Sequence, residues 1–184
     1  MEIFNPDQAA SELRTANPGL SREEANSLAW QQGVRLLERA IAERADYAFE
    51  TTLGGNTIRQ LLEKAAAAGI EVLVWYVGLA SVELHITRVR ARVDRGGHDI
   101  PETKIRGRYT QSILNLIELM PALAELAVYD NSADADPNTG AEPQPMLVVH
   151  LRRGKIVAAC DPAATPEWAK PVVITALKIA AAKM

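Results

Sequence analysis

Residues 71–79, Glu71-Val72-Leu73-Val74-Trp75-Tyr76-Val77-Gly78-Leu79, decide the fold class. The run is almost continuously apolar, β-branched or aromatic, the pattern of a parallel strand covered on both faces. The elements on either side obey the same logic. Upstream, a helix from about Thr57 to Ala68 stops at Gly69. Downstream, Ser81 to Asp94 reads as a helix stopped by Gly96-Gly97, and Pro101 opens another that runs to about Leu119. Ala127-Val128-Tyr129 is the next strand, ending in Asp130-Asn131-Ser132.

Further out, Ile3-Phe4-Asn5 is a strand stub and Tyr47-Ala48-Phe49 a second short strand. Between them Ser21 to Ala45 is a long helix. Ser21 and Glu24 have capping-box spacing, and Leu28, Leu36, Leu37, Ala40 and Ile41 recur with roughly helical period. Residues 132–145 hold acids, prolines, Asn and Gly, the composition of a surface loop. Met146 to Leu151 and Ile156 to Cys160, separated by Arg152-Arg153-Gly154-Lys155, form a β-hairpin, and an alanine-rich helix follows from about Pro166. The expectation is an α/β fold over residues 1–184 as one domain: a parallel sheet flanked by helices, with a C-terminal hairpin at its edge and a terminal helix.

Composition bounds the function. The 184 residues are 48% hydrophobic and 23% charged, enough apolar content for one core and too much for a disordered chain. A net charge of −3 gives no general attraction to nucleic acid or anionic membrane. The single cysteine, Cys160, cannot form an internal disulfide and reads as a core thiol. No apolar stretch is long enough to span a bilayer, and Met1-Glu2-Ile3 does not start a signal peptide, so a cytoplasmic protein is expected.

In open parallel sheets, ligands bind beyond the carboxyl ends of the strands. Those ends carry Asn5-Pro6-Asp7, then Glu50-Thr51-Thr52-Leu53-Gly54-Gly55, then Gly78-Leu79-Ala80-Ser81, then Asp130-Asn131-Ser132. Asp7 suits a general base held ionised near a helix start, or a plain helix N-cap bonding the amides of Ala9 or Ala10. Glu50 points into the cleft or into water, and Thr51 and Thr52 beside it suit hydrogen bonding to a ligand. Gly54-Gly55 reads as a turn.

Seven of the 20 basic residues fall between Arg88 and Arg108: Arg88, Arg90, Arg92, Arg95, Lys104, Arg106 and Arg108. Guanidinium forks match phosphate oxygens, so two Arg-bearing helices on a glycine hinge suit a lid over a polyphosphate. The alternative is a solvated helical face with carboxylate partners. His85, His98 and His150 have no metal-ligand spacing, and His98 reads as a turn residue. Trp30, Trp75 and Trp168 read as packing residues.

Taken in order, these motifs resemble the zeta-toxin-like kinases, the bacterial stand-alone members more than the plasmid toxins. The resemblance rests on Asn5-Pro6-Asp7, Phe49-Glu50-Thr51-Thr52-Leu53, Gly78-Leu79 with Ser81, Glu83 and Leu84, and Arg88-Val89 with Arg92-Val93. It continues through Gly96-Gly97-His98-Asp99-Ile100-Pro101, Ile105-Arg106, Arg108-Tyr109 and Val128-Tyr129-Asp130-Asn131-Ser132. It implies a P-loop NTPase fold and transfer of phosphate from ATP with Mg²⁺ to a small-molecule hydroxyl, such as that of a UDP-amino sugar, with an antitoxin protein as a partner. By position it makes Asp7 the acceptor of the substrate proton and Glu50, Thr51 and Thr52 the acceptor-facing segment. Arg92 or Arg95, with Arg106 or Arg108, become the arginines that neutralise the transferring phosphate, and Asn131 lies beside the nucleotide base. One part of the family pattern is missing. No G-x-x-x-x-G-K-[ST] loop occurs in the 184 residues, and its strand would be central in the sheet, leaving its neighbours short of hydrogen-bond partners. That departure leaves open a non-catalytic module, derived from such a kinase, that binds an anionic ligand or a protein.

Overall fold

A computed structural model describes residues 3–96, 99–133 and 144–183. Among these, strand β1 (Ile3–Phe4) leads into helix α1 (Pro6–Ala16), which turns back into α2 (Arg22–Glu43). Strand β2 (Ala48–Phe49), α3 (Asn56–Ala67), β3 (Leu73–Gly78), α4 (Val82–Val93) and α5 (Glu102–Leu119) follow, then β4 (Glu125–Asp130). The chain ends with β5 (Met146–Arg152), β6 (Lys155–Ala159) and α6 (Lys170–Ala182). The architecture is mixed α/β, with the hairpin and terminal helix that the sequence patterning leads one to expect.

Local chemistry sets most boundaries. Ser21 and Glu24 form the reciprocal capping box that starts α2. Ser81 caps α4 by accepting from the Leu84 amide. The β5–β6 hairpin turns on Arg153 and Gly154, with φ of 50° and 77°, the left-handed pair that a tight hairpin of native twist demands. Helix α1 is an element the sequence patterning does not delimit, because its apolar content is low and its partner is mostly alanine. Ala10, Ala25 and Ala29 seal it against α2 in a small core of their own.

Parallel pairing joins β1 to β2 and β3 to β4; β4–β5 and β5–β6 are antiparallel. The sheet is therefore not continuous: β1–β2 stands as a separate pair beside the four strands β3-β4-β5-β6. The main core lies on one face of the larger sheet, where Leu126, Val128, Val149 and Leu151 meet Leu37, Leu62, Leu116, Leu119 and Val172 from the helices. Burial of these side chains is the dominant stabilising term, roughly 1.5–3 kcal/mol for each large one.

The nine-residue apolar run departs from expectation. Its strand is shorter than residues 71–79, and only one of its faces is covered. Val74 and Tyr76 pack into the core, while Leu73, Trp75 and Val77 are 47%, 65% and 56% exposed. The physical reason is topological: among the described residues β3 is an edge strand, and no helix of theirs lies across its second face. Of the three tryptophans, Trp168 is buried against β3 whereas Trp30 and Trp75 are exposed. A Cβ on Gly78 would lie 2.2 Å from the Trp168 ring, so glycine is what lets the indole approach. Gly97, His98 and most of the expected 132–145 loop lie outside the described residues.

Candidate ligand-binding rim

The carboxyl ends of the parallel strands meet at one rim, and α5 ties them together. After β1, Asn5 rather than Asp7 caps α1: its Oδ1 accepts from the amides of Asp7 (2.8 Å) and Gln8 (3.1 Å). Its Nδ2 donates to Glu50 Oε2 at 2.8 Å, so one side chain closes the helix and binds the residue that follows β2. The N-cap alternative for Asp7 is thereby corrected; Asp7 sits exposed in the first turn, next to the positive end of the helix dipole.

The loop after β2 turns sharply. Thr51 Oγ1 accepts from the Leu53 amide at 3.1 Å, and Leu53 has φ of 50°. Thr51 thus spends one acceptor position on its own loop, while Thr52 is exposed. Asn115, fully buried on α5, donates to the carbonyls of Leu53 (2.8 Å) and Gly55 (3.2 Å). A buried amide that satisfies loop carbonyls fixes the loop's path, because leaving them bare in a dry site is costly. Asn115 was not singled out from sequence; the signal was a lone amide inside the apolar run Ile113-Leu114-Asn115-Leu116-Ile117. Gly54 lies so close to α5 that a Cβ there would sit 2.8 Å from Arg108 Cγ and 3.4 Å from its Cα. The turn that looked plain in sequence is the point where the acidic loop touches the arginine-bearing helix.

The same helix reaches β3. Tyr109 Oη donates to the Leu79 carbonyl at 2.8 Å, and Tyr76 Oη lies 3.1 Å from Ser112 Oγ. Burial raises the pKa of Tyr76 and of Tyr109, keeping both phenols neutral. After β4, Asp130 Oδ1 accepts from Ser132 Oγ (2.6 Å) and Trp168 Nε1 (2.7 Å), and Ser132 Oγ accepts from the Ala80 amide. Arg88 clamps this turn, donating to the carbonyls of Asn131 (2.5 Å) and Ala133 (3.0 Å). Asn131 Oδ1 is buried without a hydrogen-bond partner among the described residues.

The arginines divide into distinct groups. Arg106 bonds Glu83 on α4 at 2.8 Å and Glu102 at 2.7 Å, and Arg90 bonds the other oxygen of Glu102 at 3.1 Å. The Arg106 hydrogen bonds hold both carboxyls below their ordinary pKa. These two arginines therefore have carboxylate partners, as the solvated-face alternative requires. Arg92 ends α4, Arg95 lies just beyond it, and the Arg92 charge helps burial to lower the pKa of His85. Arg108 is exposed, and no hydrogen bond or ion pair involves it among the described residues. Beneath the network, Ile86, Val89 and Ile105 form a small core separate from the main one, so α4 and the start of α5 pack as a unit.

A chain carrying this rim is a mixed α/β protein with an acidic and hydroxyl-bearing loop against an arginine-bearing helix. It is 32% identical over 107 residues to a Haemophilus influenzae protein described as uncharacterized, spanning 58% of this chain and 74% of that one, and it belongs to the same family. No protein-family model matches the chain. No solved structure matches it either.

Among the described residues no cluster of three or more His, Cys, Asp or Glu side chains is arranged to hold a metal ion. The sequence offers no glycine-rich lysine loop to wrap phosphates. No described helix is long and apolar enough to cross a membrane.

Proposed function

We propose that this chain binds a small anionic molecule bearing a hydroxyl, of the UDP-amino-sugar class, at the rim formed by Asp7, Glu50, Thr51, Thr52 and Arg108. The observation that carries this reading is the approach of Gly54 to the stem of Arg108, an arginine with no ion pair among the described residues, which brings the loop that holds Glu50, Thr51 and Thr52 against the helix bearing it. A guanidinium next to hydroxyl and carboxylate acceptors suits a ligand that has both phosphate and sugar hydroxyls. On this reading the chain has the acceptor side of a zeta-toxin-like kinase. Asp7 would accept the proton of the reacting hydroxyl, and the same plan would give the phosphate contacts to Arg92 or Arg95, with Arg106 or Arg108, and the base contact to Asn131. ATP-dependent transfer by this kinase plan needs a phosphate-wrapping loop in addition, and a cytoplasmic setting with an antitoxin partner belongs to the same reading.

Thermal shift and phosphotransfer assays test it together. UDP-N-acetyl amino sugar should raise the melting temperature, ATP with Mg²⁺ should leave it unchanged, and no phosphate should transfer. Stabilisation by ATP with Mg²⁺ and turnover would make the chain a complete kinase instead. A second reading, a purely protein-binding module, is favoured by the pairing of Arg106 with Glu83 and Glu102; it requires that neither ligand shift the melting temperature.

A further inference from the structure

Helix α5 runs through two cores. Its C-terminal half places Leu116 and Leu119 in the main core, while its start places Ile105 in the small core with Ile86 and Val89 of α4. Between Ile105 and Ser112 no side chain of the helix is buried. Gly107 stands in that waist, and a Cβ added there would meet nothing within 4 Å. Close packing therefore does not call for glycine at this position. A glycine inside a helix is less stable than alanine because its backbone is freer to leave the helical conformation.

The chain just before Gly107 is self-contained. Both buried residues of α4 lie in the small core, and among the described residues none from Val82 to Ile105 joins the main one. The ion pairs of Arg106 with Glu83 and Glu102, and of Arg90 with Glu102, are internal to it. Two segments join this body to the rest, residues 79–81 and Gly107. They are neighbours in space, because Tyr109, just beyond Gly107, donates from Oη to the Leu79 carbonyl at 2.8 Å. A body with its own core, attached through two adjacent segments of chain, has the architecture of a hinged unit. Polar contacts hold it against the remainder. Arg88 of α4 donates to the carbonyls of Asn131 (2.5 Å), Ala133 (3.0 Å) and Ser132 (3.4 Å), and Lys104 Nζ lies 4.0 Å from Glu23 at the exposed start of α2.

We propose that α4 and the first turn of α5 swing as one body about Gly107 and Leu79–Ser81, with Arg88 as the latch that keeps it shut. The unbroken helix Glu102–Leu119 is the closed state. Opening bends that helix at Gly107 and withdraws Arg88 from the turn after β4. The small core and its ion pairs travel intact, since none of them spans a pivot. Gly96 lies between α4 and α5, inside the body, so it is not a pivot. Arg90 and Arg92 ride on the body, whereas Glu50 and Arg108, whose stem packs on Gly54, stay behind. The swing thus changes the separation between these two sets of charges. That it admits a ligand rests on the proposed rim; the motion itself does not.

Distances between paired spin labels measure the swing in the full chain, with Cys160→Ser removing the native thiol. Gln60→Cys on α3 and Asp94→Cys at the end of α4 span the hinge, and Gln60→Cys with Lys178→Cys on α6 is a control pair outside the body; all three sites are exposed. With Arg88 and Gly107 in place, one short distance should predominate across the hinge. Arg88→Met should raise the share of a second, longer distance by about tenfold, through loss of the charged hydrogen bonds. Gly107→Ala added to Arg88→Met should cut that share by about fivefold, because alanine favours the straight helix. In the chain that keeps Arg88, urea below the unfolding midpoint should bring up the same longer distance before the control pair changes, a reading independent of how well the variants fold. Three results would overturn the proposal: a single unchanged distance in both Arg88→Met and dilute urea, a longer population indifferent to Gly107→Ala, or equal spreading of the control pair. The last would mean general loosening of the molecule. A UDP-sugar that fails to bind would leave these outcomes unchanged.

Discussion

Asn5 Nδ2 donates to Glu50 Oε2 across 45 positions of sequence, so the start of α1 and the end of β2 are held by one amide. Because the same side chain caps α1, its replacement has two separable effects. Asn5→Ala should lower stability by about 1 kcal/mol through loss of the cap. Asn5→Asp keeps the cap but sets a carboxylate against Glu50, so it should recover only part of that loss. Urea unfolding of the two variants at neutral pH checks both; two neutral substitutions would show that the cap and the bond are incidental.

Asn115 is the residue on which the rim's shape depends. Asn115→Leu should cost on the order of 2 kcal/mol, since it strands the carbonyls of Leu53 and Gly55 in a buried site. Chemical denaturation gives the cost. Amide exchange of residues 53–55 gives the local effect, with faster exchange there than in the wild type at equal overall stability.

Gly78 and Trp168 test close packing at the end of β3. Gly78→Ala forces a methyl into the indole ring and should destabilise by about 1–3 kcal/mol. Trp168→Leu in the same chain should absorb part of that penalty, giving a non-additive double-mutant cycle.

The Glu83–Arg106–Glu102 network has a defined pH dependence. Arg106 depresses both carboxyl pKa values below 4.5, so the network supports the fold at neutral pH. That support is lost as pH falls below the unfolded value and through the depressed folded values. All three groups are solvent-exposed, so the contribution is small and screened by salt. Arg106→Gln should move both carboxyl titrations back up toward 4.5 by NMR, and the change should shrink in high salt.

Much of the fold was legible because its signals are local. The capping box of Ser21 and Glu24, the apolar periodicity of Leu28 to Ile41, the stop at Gly69 after α3 and the glycine-bearing turn between β5 and β6 each specify an element without reference to the rest of the chain. The exposed side of β3 was not legible. A run such as Leu73–Val77 reads as buried on both faces whether or not a covering element exists, since the covering element is encoded elsewhere. At the rim, Glu50 and Arg108 could be selected by residue type. Their neighbourhood depends on Gly54 meeting α5 and on Asn115 bridging to the loop, long-range contacts that no spacing rule reports. The division of the arginines, with Arg106 paired and Arg108 open, follows from which way α4 and α5 face each other.

The proposed ligand site between the acidic, hydroxyl-bearing loop and Arg108 is tested most directly by calorimetric titration of a UDP-amino sugar into the full chain and into Arg108→Met, which keeps the stem against Gly54 but removes the charge. The expected result is saturable binding to the wild type and at least tenfold weaker binding to the variant, about 1.4 kcal/mol in affinity. Absence of heat from the wild type, or equal affinity in both, would contradict it.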